Sequence, residues 1–518
     1  VPDRARICIV GGGTTGLLAA KACLDEGLSP TVFEQTTRVG GVWRLDEFPD
    51  RVAYKSLYTN SSGAMMCISD YPLDANLYGR FPYRQDICDY YESYIHHFEL
   101  EKFISFGSTV TDIQRLESQW AVNVKSSDGS CESHLFDAIF ICTGQFKEPK
   151  FPSLPNADVF RGRLSHSSSY RDANNLRGRR VVLVGLGNSA LDISLEAARA
   201  GCASVTVLCR SGTNIVPVAD SSGRPADQMI NTRLYSKFPT LLKQLLFLRL
   251  IRGTNAEFQK HGMPAPPRQQ KHMGFSNLKE HVVYRQFLRE GRIKFLNGTI
   301  EKFNEHSIVV SSGEEVAVDD VIFCTGYKLE FPFLRDDLSE NFVISTAGRQ
   351  HLNAYKLVMH PSHPTLCALG FLLTFGNESC VAEMQARWSI AHWVGRAHLP
   401  SHETIEKDLD KRRKGNKYPQ FLPYVDYMDG LAAECGVAPP TSWRIFLQNP
   451  SLFWSLFMSP VVPAQYRLVG AHSWPKAAGF ITSQPSTAQR WFQLFWAPPD
   501  SKKASSHCAV STYQESKL

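Results

Sequence analysis

An α/β chain with two Rossmann-like dinucleotide-binding domains, the second inserted into the first, is the fold class the sequence predicts. Three observations predict it. ARICIVGGGTTGLLAAKACLDEGLSPTVFEQ runs apolar strand, glycine turn, helix, loop and strand. RRVVLVGLGNSALDISLEAARAGCASVTVLCRS repeats that order. Two further runs, DAIFICTGQF and DDVIFCTGYKLEF, each end an apolar strand in Cys-Thr-Gly, at Cys142 to Gly144 and Cys324 to Gly326, as equivalent return strands of two such units would. With 518 residues the chain exceeds one ordinary core.

In the first unit Gly11, Gly13 and Gly16 fit G-x-G-x-x-G between a strand and a helix. The first glycine turns sharply, the second lets backbone approach a pyrophosphate, and the third lets helix pack on strand. The phosphates meet the positive end of the helix. Glu34, 23 residues beyond Gly11 at the end of the second strand, accepts from ribose hydroxyls and suits a free 2′-hydroxyl. A glycine-rich turn alone imitates this fingerprint; strand, helix and terminal acid together carry the reading. RVGGVWRL then places Gly40, Gly41 and Trp43 where a glycine pair passes under a bulky ligand without a clash, which narrows the dinucleotide to FAD.

In the second unit Gly185, Gly187 and Ala190 repeat the fingerprint, with Asn188 and Ser189 inside the loop. Arg210, 25 residues beyond Gly185, stands where Glu34 stood in the first unit. A guanidinium cannot accept from a 2′-hydroxyl but pairs with a 2′-phosphate, so the second dinucleotide is expected to be NADPH. The alternative for Arg210 is a surface arginine at a strand end.

Composition excludes several classes. A net charge of +6, spread along the chain, makes no nucleic-acid groove, though it leaves a mild attraction to acidic lipid surfaces. Thirteen cysteines without a C-x-x-C pair offer neither a redox dithiol nor a zinc set. Cys8, Cys142, Cys209 and Cys324 fall in apolar strands, as reduced thiols of a cytosol-like compartment would. Histidines are dispersed, so no metal is expected. The first strand begins near Ala5, leaving no room for a secretory signal in the sequence as given.

Between the two glycine units stands FRGRLSHSSSY. Phe160, Gly162, His166 and Tyr170 give F-x-G-x-x-x-H-x-x-x-Y, which resembles the fingerprint of the class B flavoprotein monooxygenases. The Baeyer–Villiger branch usually ends that motif in tryptophan; tyrosine resembles the flavin-containing monooxygenases that oxygenate nitrogen and sulfur. Glycine allows this linker to press on the second fold, while His166 and Tyr170 are expected to tie it by hydrogen bonds to backbone across the junction, clamping NADP(H) over the flavin. A plain polar linker would need no such spacing. AYKSLYTNSSGAMMCISDYPL, LEFPFL, AEMQARW, YVDYMDGLA and QYRLVG are similar to the animal microsomal members over nearly the whole chain.

That resemblance implies an NADPH- and O2-dependent FAD monooxygenase of xenobiotic metabolism, forming N-oxides and S-oxides from small amines and sulfides through a C4a-hydroperoxyflavin. It implies that Asn60 donates near the reactive flavin edge, that Asn188 faces the nicotinamide nucleotide, and that Gln385 lies beside the flavin; each is otherwise a loop or helix residue without that role. Arg210 is followed by Ser211 where the family commonly has a second basic residue, and GFLLTFGNESC lacks the family's usual proline. The alternatives are Baeyer–Villiger oxygenation of ketones, or an uncoupled NADPH oxidase that releases H2O2. A pyridine-nucleotide disulfide reductase lacks its dithiol here.

The expected domains are a first part of the FAD-binding domain at 1–155, an NADP-binding domain at 156–328, the second part of the FAD domain at 329–440, a partly helical membrane-associating region at 441–498 and a disordered tail at 499–518. IFLQNPSLFWSLFMSPVVPAQY, Ile445 to Tyr466, is broken by prolines and amides, so it is expected to dip into a membrane surface without spanning it. The resemblance implies the cytosolic face of the endoplasmic reticulum membrane; Ser516-Lys517-Leu518 offers a peroxisomal address instead.

Overall fold

A computed structural model describes residues 4–45, 52–220, 222–267, 275–346, 349–374, 376–414 and 421–487. The first of its two five-stranded sheets runs Leu366–Ala368, Ala138–Ile141, Arg6–Val10, Ser29–Phe33, Ile104–Ser105, all parallel. Ile7 to Val10 are buried at its centre. Both faces of such a strand are covered, so RICIV reads as an unbroken apolar run rather than an alternating one. The first glycine helix, Thr14–Asp25, covers one face, with the returning helix Glu378–Trp393 packed on it. The antiparallel strands Ser108–Arg115, Trp120–Ser126 and Cys131–Phe136 cover the other, where Trp120, Val122 and Phe136 meet Cys8, Val10 and Ile141.

The second sheet repeats the plan in the order Ile293–Asn297, Ser204–Cys209, Arg180–Val184, Asp320–Phe323, Arg163–His166, again all parallel. Its glycine helix is Asn188–Arg199. The segment read as a linker thus supplies the edge strand of this sheet, with His166 opposite Phe323. The reason is hydrogen-bond satisfaction: without Arg163–His166, the backbone of Asp320–Phe323 would be left unpaired on one side.

The chain leaves the first fold after Ile141 and returns after Phe323. Each crossing carries a glycine with left-handed backbone, Gly144 at φ 74° and Gly326 at φ 80°. The two crossings are joined to each other, because Glu148–Pro149 pairs antiparallel with Tyr327–Lys328. A two-stranded joint therefore connects the folds.

The predicted interfacial run Ile445 to Tyr466 divides in two. The short helices Trp443–Gln448 and Pro450–Met458 expose Trp443, Leu447 and Trp454, whereas Val461, Val462 and Tyr466 are fully buried in the core beneath the first sheet. Charge anchors this second half: the buried Arg467 guanidinium reaches Glu383 at 3.1 Å, Asp70 at 3.3 Å and Asp25 at 3.6 Å. Among the described residues no helix is long and apolar enough to cross a membrane. The tail 499–518, with Ser516, Lys517 and Leu518, lies outside the described residues, as does the end of the 441–498 region.

Candidate active site

The first cradle is shaped by backbone proximity. Gly11 has φ +107°, and a Cβ there would sit 2.7 Å from the Cys142 carbonyl oxygen. A Cβ on Gly16 would lie 1.9 Å from the carbonyl oxygen of Gly11, so this glycine serves helix packing and does not line the cavity. Gly13 caps the helix Thr14–Asp25 with no side-chain hydrogen bond, leaving the first-turn N–H groups available to an anion. Gly41 approaches so closely that its Cβ would be 3.0 Å from the Gly13 Cα, and Trp43 follows on the cavity wall. Gly40, at φ +117°, turns the chain there behind the wall.

Glu34 is buried and pre-aimed. One carboxylate oxygen accepts from the Gly12 amide at 2.6 Å; the other accepts from the Thr36 amide at 3.0 Å and hydroxyl at 2.7 Å. These donors hold the acid at the cavity edge beside Gly13. Glycine loop, uncapped helix and fixed acid are the donor and acceptor set an adenine dinucleotide requires, so the residues present fit FAD.

The second cradle mirrors the first. Gly185 has φ +118°, with a virtual Cβ 2.4 Å from the Cys324 carbonyl oxygen, as Gly11 stands to Cys142. Around Gly187, which caps Asn188–Arg199 without a side-chain bond, a Cβ would meet open space. Arg210 is exposed just beyond the end of Ser204–Cys209. An open glycine, a free helix end and an exposed guanidinium fit a phosphorylated dinucleotide. Gly185, Gly187, Ser189 and Arg210 stand outside the walls of the main cavity, whereas Asn188 lines it, its side-chain oxygen accepting from the Asn277 amide at 2.8 Å.

The structure gives the Phe-Gly-His-Tyr residues four separate jobs. Phe160 is buried against Phe303. A Cβ on Gly162 would lie 2.5 Å from the Asp319 carbonyl oxygen, so only glycine lets the chain press on the second fold there. His166 lies 3.1 Å from the Gly326 carbonyl oxygen and lines the cavity. Tyr170 departs from expectation: its hydroxyl donates to the Glu196 carboxylate at 2.5 Å rather than to backbone, because the second glycine helix presents that carboxylate toward the ring.

One cavity of about 1000 Å³ joins the two folds. Gly11, Gly13, Glu34, Gly41 and Trp43 line it from the first, His166, Asn188, Val216 and Asn277 from the second, and Asn60 is exposed on its wall. Asn60 makes no hydrogen bond to protein among the described residues, so its amide is free to serve a ligand. Gln385 is not on the wall. Fully buried, it accepts from the Gly370 amide at 2.9 Å and donates to the Tyr427 hydroxyl at 2.9 Å, which shapes the wall from behind.

Three acids on the wall, Glu148, Asp227 and Glu378, were not among the sequence candidates, and two of them bear on the Asn60 side. Asp227 accepts from the Ser62 amide at 2.7 Å, two residues past Asn60, and burial pushes the carboxyl of Glu378 up to about 7. Asn377 caps the returning helix and donates to the Met65 carbonyl at 3.2 Å, which brings Glu378 toward the Asn60 side. The Asn-Glu pair opening a helical pattern was the available signal for Glu378; Asp227 had none. Among the described residues no cluster could hold a metal ion.

A family model described as flavin-binding monooxygenase-like matches residues 4–513. Dimethylaniline monooxygenase (N-oxide-forming) 2 of Macaca mulatta is 33% identical over 501 residues, covering 92% of this chain and 91% of that protein. Flavin-containing monooxygenase 2 of Homo sapiens is 32% identical with the same coverage, 92% and 91%. Among solved structures, S-allyl-L-cysteine S-oxygenase from Allium sativum shares the fold at TM-score 0.62 and 24% identity, covering 86% of this chain and 94% of that one. The open form of cyclohexanone monooxygenase does so at TM-score 0.60 and 17% identity, covering 83% and 97%.

Proposed function

Because the chain belongs to the flavin-binding monooxygenase-like family, we propose that it uses NADPH and O2 to oxygenate soft nitrogen and sulfur centres of small molecules. The observation that carries this reading is the cavity of about 1000 Å³ lined jointly by the FAD cradle and by residues of the second fold, with Asn60 between them. FAD, when bound, would supply the redox chemistry, that of a hydride acceptor from NADPH and of dioxygen activation. The protein's own residues bind, orient and exclude water. Gly11, Gly13, Glu34, Gly41 and Trp43 would hold FAD; Gly187, Asn188 and Arg210 would hold NADPH. Asn60 offers an uncharged amide that donates a hydrogen bond without releasing a proton, which suits stabilising negative charge on oxygen.

The test is NADPH consumption by the FAD-loaded protein with dimethylaniline, with a dialkyl sulfide and with cyclohexanone, quantifying N-oxide, S-oxide, lactone and H2O2. Oxide in proportion to NADPH supports the reading. Lactone alone, or H2O2 alone with every substrate, overturns it.

We also propose that the exposed aromatic face of Trp443–Gln448 and Pro450–Met458 rests on a lipid surface. Trp443 and Trp454 offer apolar rings with a polar N–H, the chemistry suited to a headgroup boundary. Co-sedimentation with anionic vesicles, lost in Trp443→Glu/Trp454→Glu, would support this; equal binding by the variant would overturn it.

A further inference from the structure

The arm from Tyr54 to Ser62 belongs to the first fold, yet its side chains are fastened to the second. Tyr54 donates its hydroxyl to Asp192 and Ser56 donates to Glu196, both on the second glycine helix. Lys279, just past the strand Phe275–Leu278, donates to the Tyr58 carbonyl at 2.8 Å and to Asp192 at 2.9 Å. Its ammonium also stands 4.3 Å from the Tyr58 ring centre. On the far side of Asn60, Asp227 holds the Ser62 amide at 2.7 Å. The first fold contributes backbone bonds, from Thr59 to Pro82 and from Arg84 to Leu57, both at 2.9 Å. Asn60 therefore lies between two sets of side-chain ties that lead to the other fold.

The place of these ties gives them a meaning beyond packing. Asn188 and Asp192 are four residues apart on one helix face; Asn277 and Lys279 are two residues apart on the neighbouring segment. The Asn188 side chain meets the Asn277 amide, and the Asp192 side chain meets Lys279. One rung faces the cavity and the next holds the Asn60 arm, so two consecutive rungs of the same pair of elements connect nucleotide site and arm. Lys279 and Asp192 are both buried. A buried ion pair adds little stability over apolar residues of similar volume, so stability alone does not account for this one.

We propose that Asp192 and Lys279 are positioning residues that set Asn60 from the second fold, so that a nicotinamide nucleotide bound beside Asn188 orders the arm Tyr54 to Ser62. The proposal rests on the reading of Asn60 as a donor on the reacting side of the cavity. No atom of Lys279 needs to touch substrate.

Amide hydrogen exchange of peptides covering 54–62 tests it, in FAD-loaded protein with and without NADP⁺. Wild type, Lys279→Met, Lys279→Arg and Tyr54→Phe are compared, and product per NADPH is measured alongside. In wild type NADP⁺ should slow exchange in the arm by about fivefold or more. In Lys279→Met and Tyr54→Phe that slowing should be lost and product per NADPH should fall, while FAD content and NADP⁺ affinity hold; Lys279→Arg should restore part of both. Unchanged slowing, or unchanged product per NADPH, in both variants overturns the proposal. Should Lys279→Met fail to fold, Tyr54→Phe decides, since it removes one hydroxyl and keeps the ion pair. If exchange behaves as expected but wild type forms no oxide, the proposed function falls and the coupling stands.

Discussion

The imidazole Nε2 of His166 lies 3.1 Å from the carbonyl oxygen of Gly326, while its Nδ1 accepts from the Ser168 amide at 3.1 Å. Accepting at Nδ1 fixes the hydrogen on Nε2, so the ring donates to the glycine where the chain crosses back into the first fold. A neutral imidazole makes both bonds; an imidazolium loses the Ser168 one. Burial lowers the His166 pKa below its ordinary value, in agreement.

His166→Phe keeps a ring against Tyr327 but leaves the Ser168 amide and the Gly326 carbonyl without this partner. The expected loss is roughly 1–3 kcal/mol above neutral pH. The sign of the pH dependence follows from a depressed pKa. The contribution is fully present above about 6.5, the unfolded value, and is lost as pH falls through the folded one. Urea unfolding of both proteins at several pH values checks it, and a gap that widens on acidification contradicts the assignment.

Asn60→Ala should still load FAD and consume NADPH, but product per NADPH should fall with H2O2 rising in its place. Losing one donor of this kind costs roughly 10²–10³-fold in an oxyanion-type site. Unchanged product per NADPH would reduce Asn60 to a surface residue of the cavity wall.

Arg210→Ala should raise the Michaelis constant for NADPH far more than for NADH. A charge-assisted contact to phosphate is worth roughly 1.5–3 kcal/mol, or about 10- to 150-fold. Steady-state kinetics with both coenzymes decides, and equal effects remove the 2′-phosphate role.

The parts of the site that were legible in sequence are those set by neighbours along the chain. Gly11 and Gly185 turn against their return strands, and the Cys-Thr-Gly runs announced those strands, so local pattern and fold agreed. Glu34 was legible by its distance from the glycines, although its orientation by Gly12 and Thr36 was not. Gln385, which the resemblance puts beside the flavin, lies one layer behind the cavity wall, because a helix that packs on Thr14–Asp25 can turn a glutamine toward Gly370 as readily as toward the cavity. The motif's spacing cannot reveal that Tyr170 meets a carboxylate rather than backbone, because Glu196 stands 26 residues away and faces it only after the second fold closes. Asp192, Asp227 and Lys279 act across the interface between the folds, where no periodicity records which side chains will meet.

Glu378 allows the last prediction. Standing in the first turn of the returning helix, it lines the cavity, and among the described residues it has no hydrogen bond or ion pair. The positive end of the helix favours a carboxylate there. Burial outweighs that attraction and pushes the carboxyl up to about 7, against an ordinary value of about 4.3. A raised folded-state pKa means that the fold favours the protonated form. Its contribution to stability is fully present below about 4.3 and is lost as pH rises through about 7. Glu378→Gln cannot ionise. It should therefore melt close to wild type at pH values near the unfolded pKa, and a few degrees above it on the alkaline side of neutrality. Thermal melts of the FAD-loaded proteins across that range check it. A difference that does not change with pH would mean that Glu378 keeps its ordinary pKa in the folded protein, and one of the opposite sign would mean that a cation pairs with it.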